Sequence, residues 1–362
     1  MPVKEFQVQE LLFPFDQKVK TSGVFPQTRY QGSKYKLLEW LRFHFEKLNF
    51  ESALDLFGGT GSVGFLFKQM GKKVVYNDYL KFNSNIATAL IENNHTYLDE
   101  NDIEFLLKEH SNIQYPTFIY NTFKDIYFTD EENLWLDQTI TNINLIADKY
   151  KQSTAYFALF QACIIKRPYN LFHRKNLYVR LAEVSRTFGN KKTWDTSFET
   201  LFVKFIEQAN GAIFDNGKNH LVLNQRVEDL TNIKADLVYI DPPYISSKGT
   251  GVNYFDFYHF LEGISDYENW SGRINYKSKN LKLSSSKSSW VDKNLITDSF
   301  EKLLNEFQSS ILVISYRDDG IPSISKIVEM LEKLNKKVSI HTADYKYVLS
   351  NSQSKEVLIV AI

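Results

Sequence analysis

Two stretches of this chain hold residue types that do chemistry when a fold brings them together. The first is Asp241-Pro242-Pro243-Tyr244, which closes the apolar run Leu237 to Ile240. An unbroken apolar run of that length predicts a strand buried on both faces. Prolines have no N–H to give a sheet ladder, so the strand must end at Asp241. A carboxylate acceptor, two rigid rings and an aromatic face are then presented at the carboxyl end of a strand, where open α/β sheets bind ligands. Taken alone, the quartet also reads as a stiff turn. The second stretch is Gly58-Gly59-Thr60-Gly61. Gly59, Gly61 and Gly64 satisfy the dinucleotide fingerprint, and Asp78 follows about 20 positions later, where a carboxylate accepts from ribose hydroxyls.

The elements that must position these residues are legible around them. Ala53 to Phe57 reads as a strand, Val63 to Met70 as a helix and Lys72 to Tyr76 as a second strand ending at Asp78. Upstream, Arg29-Tyr30-Gln31-Gly32-Ser33-Lys34 precedes Leu37, Leu38, Leu41 and Phe45 at helical spacing. A capped helix with a surface lysine fits that segment as well as an anion site does. His220 to Asn224 is a strand candidate, followed by a loop holding Asp229. Ser310 to Tyr316 reads as another buried strand, with a helix after Pro322. Two terminal strands, about 337–349 and 356–362, suit an antiparallel edge.

Between about 99 and 215 the α/β rhythm stops. Thr129-Asp130-Glu131-Glu132 is a capping box opening a helix over about 134–150, and a further helix spans about 153–165. Cys163 on that helix reads as a small core residue. These signals predict a mainly helical insert over 99–215, flanked by 1–98 and 216–362. Residues 1–28 read as a tether.

The chain has 362 residues with 43 basic against 43 acidic side chains, so any polyanion surface must be a local patch. One such patch is the segment 166–192, where eight Lys or Arg face the single acid Glu183. Lys166, Arg167, Tyr169, Asn170, His173, Arg174, Lys175, Asn176 and Arg180 mix cations, aromatics and amides as a phosphate-contacting surface does. A solvated basic face is the plain alternative. A second patch, Ser271 to Ser289, includes Lys277, Lys279 and Lys287 and no acid, and reads as an exposed basic loop or an ordinary linker. The lone Cys163 excludes a disulfide framework and a cysteine-cluster metal site. Without an apolar leader at the start or a spanning run later, a cytoplasmic protein without membrane contact is expected.

The order Tyr30-Gln-Gly-Ser-Lys34, Asp55-Leu-Phe-Gly-Gly-Thr-Gly61, Asp78, helical basic insert, Asp241-Pro-Pro-Tyr244 resembles the Dam-like (alpha-type) site-specific DNA adenine-N6 methyltransferases. The resemblance covers about residue 27 to the end. It departs at Gln31-Gly32-Ser33, where many relatives carry a second aromatic or a second glycine. It implies a Rossmann-like class I methyltransferase sheet, mostly parallel with an antiparallel C-terminal edge. The insert would be the target recognition domain, and 1–98 with 216–362 the catalytic domain. It implies S-adenosylmethionine as cofactor, held by Tyr30, Lys34, Asp55, Phe57, Gly58, Gly59, Gly61, Asp78, Asp229 and Asp241, with Lys34 at the amino-acid end and Asp229 or its loop near the adenine. Asp241, Pro242, Pro243 and Tyr244 would act on the amine of a base rotated out of duplex DNA. Transfer to a neutral amine requires no metal. A companion restriction endonuclease acting on the same site is a further implied partner.

Other readings stay open at the level of sequence. The glycine spacing permits a nicotinamide-dependent oxidoreductase, the same transferase pocket serves RNA or a protein amide, and a non-catalytic DNA-binding module would need the basic segments alone.

Overall fold

Alternation along the central strands sorts their side chains into two apolar layers. Ala53, Val74, Tyr76, Leu237, Tyr239 and Val313 enter one cluster, while Leu54, Val75, Val238, Ile240, Leu312 and Ile314 enter the other. Both faces of the sheet are therefore covered, as expected of parallel strands joined by helical crossovers. The structure, a computed structural model, describes residues 23–26, 28–184, 191–246, 253–284, 288–345 and 354–362. The expected tether over 1–22, Arg186, Lys287, and the chain between the last two strands lie outside the described residues.

Seven strands form one sheet: β1 Ser52–Asp55, β2 Lys73–Asn77, β3 Leu221–Leu223, β4 Leu237–Ile240, β5 Ile311–Arg317, β6 Val338–Tyr345 and β7 Ser354–Ala361. Their order is β3-β2-β1-β4-β5-β7-β6. The first five are parallel, and β7 runs antiparallel to both β5 and β6. This is the mostly parallel α/β sheet with an antiparallel C-terminal edge that the resemblance implies. From β1 the chain goes to β2 and β3 on one side and returns at β4 on the other. The carboxyl ends of β1 and β4 therefore flank a topological switch point, the general ligand site of such sheets. Asp55 pairs in register with Tyr239, so the glycine turn and Asp241 leave the sheet side by side.

One helix boundary differs from expectation. The capping box at Thr129 and Glu132 is present, but its helix runs Asp130–Asn144 and a separate helix spans Lys149–Ile165. Asp148 makes the break: its carboxylate accepts from the N–H groups of Tyr150 and Lys151, capping the second helix. That second helix packs against Lys81–Ala87 and Phe198–Asn210, with Cys163 fully buried. No described helix is long and apolar enough to cross a membrane.

Candidate active site

The glycine turn is held open from inside. Asp55 at the end of β1 accepts from the Gly64 N–H at 2.8 Å, and burial pushes its carboxyl up to about 8. Tyr76 packs under the turn and donates its hydroxyl to the Gly59 carbonyl at 2.5 Å. A side chain at Gly58 would collide with that ring, so only glycine lets the turn sit so close to β2. Gly61, at φ 76°, begins the helix Ser62–Gln69 and shapes the turn without lining the cleft. Asp78 accepts from Gly59 N–H at 2.9 Å and Leu80 N–H at 2.7 Å. Burial raises its carboxyl, and these donors oppose the rise.

Above the turn lies a cleft of about 230 Å³. Tyr30, Lys34, Asp55, Phe57, Gly58, Gly59, Asp78, Asp241, Pro242, Pro243 and Tyr244, all predicted site residues, line this one space. Tyr30 is stacked between Tyr258, with centroids 4.5 Å apart, and Tyr254, at 5.7 Å. The departure Gln31-Gly32-Ser33 is accommodated locally: Gln31 N–H donates to Tyr258 Oη at 2.8 Å, and Ser33 Oγ caps the helical turn Lys34–Leu37. Sequence reasoning missed Trp290, which also lines the cleft and meets Phe57 edge-on at 4.8 Å. An isolated tryptophan in a polar stretch carries no such signal. Of Asp229 and its loop, the loop reaches the cleft: Arg226, Val227 and Glu228 line it, while Asp229 stands exposed at the end of the short turn Val227–Asp229.

At the far end, Asp241 belongs to a buried charge network. Lys34 Nζ lies 3.1 Å from Asp241 Oδ1 and 2.9 Å from Glu356 Oε1, and donates to Tyr244 Oη at 2.5 Å. Tyr244 in turn donates to Asp241 Oδ1 at 2.5 Å. Burial pushes the Asp241 carboxyl up to about 6; Lys34 pulls it down and the Glu356 charge pushes it up. Burial alone would lower Lys34, but Asp241 and Glu356 more than offset it and hold the ammonium above the ordinary lysine range. The Lys34 cation thus engages three oxygens of its own chain. Glu356 was not anticipated. Its one sequence signal is a carboxylate leading the otherwise apolar run Val357 to Ala361 of β7.

The basic segment divides into two populations, which corrects the charge count. Lys166, Arg167, Asn176 and Arg180 are buried. Glu132, outside the segment, receives Lys166 at 2.8 Å and a two-pronged Arg180 at 2.7 and 2.8 Å. Arg167 donates to the Tyr127 carbonyl at 3.0 Å, lies over the Tyr127 ring and is also bonded to Asn176; burial lowers it to about 9. These four hold the insert together and are not available to a phosphate. Arg174 and Lys175 are exposed, Asn170 and His173 half-buried, and Tyr169 is 64% exposed on a left-handed backbone at φ 64°. The second basic stretch is more ordered than a linker: Ile274 and Leu283 are buried and bridge antiparallel, leaving Lys277 and Lys279 exposed between them. Asn280 donates to the Phe172 carbonyl at 3.1 Å, which ties the two stretches together.

Comparison with known proteins bears on this geometry. The profile of the D12 class N6 adenine-specific DNA methyltransferases matches residues 30–319. The chain is 31% identical to the Type II methyltransferase M2.HphI of Haemophilus parahaemolyticus, over 92% of this chain and 95% of that protein. It is 24% identical to the Type II methyltransferase M.NlaIII of Neisseria lactamica over 90% and 94%. Against the Type II methyltransferase M.FokI of Planomicrobium okeanokoites the identity is 25%, covering 84% of this chain and 46% of that one. With its sheet, glycine turn and Asp-Pro-Pro-Tyr strand end around one cleft, the chain belongs to the D12 class N6 adenine-specific DNA methyltransferase family.

Proposed function

We propose that the methyl donor is S-adenosylmethionine, taken up along the glycine turn, and that Asp241 and Tyr244 receive the target adenine at the other end of the same cleft. The observation carrying this reading is that the turn, Asp78 and the Asp-Pro-Pro-Tyr quartet line one continuous space. The residues fit the donor. A Cβ at Gly59 would lie 3.8 Å from the Tyr30 ring and 4.0 Å from the Phe57 carbonyl, so its absence leaves room on the cleft side. Asp78 supplies a carboxylate for ribose hydroxyls. When bound, S-adenosylmethionine supplies a methyl group on a sulfonium, a centre that loses its charge as the methyl leaves. The chain's own work is on the acceptor. The adenine amine is conjugated with its ring and is a weak nucleophile. Asp241 accepts from its N–H and draws the lone pair out of conjugation, and the same carboxylate takes up the proton released afterwards. Fixed by Lys34 and Tyr244, it does so without reorganising.

The helical segment 99–215 is read as the target recognition domain and 1–98 with 216–362 as the catalytic domain. Arg174, Lys175, Lys277 and Lys279, exposed on adjoining loops, are the phosphate contacts, with Tyr169, Asn170 and His173 nearby for the bases. A restriction endonuclease acting on the same site is the companion this reading implies.

Calorimetry should detect S-adenosylmethionine binding to the ligand-free chain and none of NAD, and tritium from the labelled methyl group should enter duplex DNA in preference to RNA or protein. Label in RNA or protein alone would sink the acceptor assignment. Replacing Arg174 and Lys175 together by Ala should lower the salt-dependence slope of DNA binding by roughly two. The same pair of changes at Lys166 and Arg180 would unfold the insert first.

A further inference from the structure

The buried charge network at Asp241 includes a carboxylate that belongs to neither the Asp-Pro-Pro-Tyr nor the glycine motif. Glu356, the third residue of β7, lies opposite Arg317 of β5, which brings it from near the end of the chain to the carboxyl edge of the sheet. It is fully buried. Ser315 Oγ donates to its Oε1, the oxygen that also receives Lys34. Lys34 therefore sits between two carboxylates, Glu356 behind it and Asp241 in front. Among the described residues, the two donors that reach the Asp241 carboxylate, Lys34 and Tyr244, meet the same oxygen, Oδ1.

We propose that Glu356 is a positioning residue for methyl transfer: acting through Lys34, it holds the ammonium against Asp241 Oδ1, so that Oδ2 remains directed to the target amine, and it balances the ammonium's charge so that Asp241 stays a strong acceptor. The proposal rests on the reading of Asp241 as the acceptor for the adenine amine. Charge explains the need. A lysine paired with Asp241 alone would withdraw electron density from the carboxylate that must accept the amine's N–H. A second carboxylate on the far side of the lysine offsets that withdrawal, and Asp241 retains its basicity. The groups facing Asp241 are Lys34 from the turn Lys34–Leu37, Tyr244 from its own loop, Tyr239 from β4, Glu356 from β7 and, electrostatically, Asp55 from β1. Among the described residues in that group Lys34 is the one cation, so removing Glu356 leaves its pull unopposed at close range.

The test uses the full chain with S-adenosylmethionine and duplex DNA in single-turnover transfer across pH, beside a ¹³C carboxyl titration of Asp241 in the ligand-free protein. In Glu356→Gln the rate at neutral pH should fall roughly tenfold or more, with KM for DNA changed less than about threefold. The sign follows from the charge removed. Without Glu356, Asp241 ionises more readily, so the acid limb and the ¹³C midpoint should both move lower by about one pH unit. Lys34→Met should move the ¹³C midpoint higher, and adding Glu356→Gln to it should bring the midpoint back down. Should Glu356→Gln fail to fold, Glu356→Asp carries the test: it keeps the charge but shortens the reach, so transfer should slow roughly tenfold while the acid limb stays in place. A parental rate and parental midpoint in these variants would overturn the proposal. Asp241→Asn separates the two ideas. If it transfers at the parental rate, the reading of Asp241 fails; if it is inactive while Glu356→Gln is unchanged, only the role of Glu356 fails.

Discussion

Asp241→Ala should lower single-turnover methyl transfer by roughly 10³-fold or more, while the affinity for duplex DNA stays within a few-fold of the parent. The effect is large because the change removes the only carboxylate at the tip of β4, where the family motif ends against the cleft. Stability should survive. The cation that Asp241 leaves behind, Lys34, keeps Glu356 at 2.9 Å and is not stranded in the interior. The exposed cations proposed as phosphate contacts, Arg174, Lys175, Lys277 and Lys279, lie in other elements, so DNA binding should be untouched. Quenched-flow transfer with fluorescence anisotropy on the same preparation separates the two quantities. Activity within a few-fold of the parent would remove Asp241 from the reaction.

Glu132→Ala should destabilise the chain by about 3–5 kcal/mol, the usual cost of removing one partner of a buried ion pair. Three features combine at this side chain. It receives Lys166 and both prongs of Arg180, and its Oε2 also closes the capping box by accepting the Thr129 N–H at 3.0 Å. Without it, two buried cations lose their counter-charge. Burial works against the Glu132 anion, but Arg180 and Lys166 prevail and hold its carboxyl below the usual range. At Lys166 burial outweighs Glu132, and the ammonium is pulled down. A lowered carboxyl contributes stability that is full above its unfolded value of 4.5 and fades as pH falls through the folded one. The denaturant midpoint of the parent should therefore approach that of Glu132→Ala in acid and separate from it near neutrality. Equal midpoints at neutral pH would show that the cluster contributes nothing net.

The two variants also separate what was readable in the chain from what was not. Sequence by itself determined the features set by local chemistry. Prolines 242 and 243 end β4, the glycines bend the chain after β1, and Thr129 with Glu132 starts a helix, each through bonds or sterics within a few residues. Apolar runs placed the strands, and the motif order, through its resemblance to a known family, implied a mostly parallel sheet with an antiparallel edge. Only the tertiary structure decided which charges face outward. Counting cations over 166–192 cannot see Glu132, which lies far upstream and neutralises two of them inside the core. Nor can a motif at Lys34 reveal Glu356, since β7 reaches the site only by inserting between β5 and β6. Asp229 and Glu228 are neighbours in sequence and both exposed, yet the direction of one short turn brings Glu228 and not Asp229 to the cleft. Burial and charge pairing are long-range properties: they depend on which distant segments the sheet order brings together, and no window of sequence contains that order.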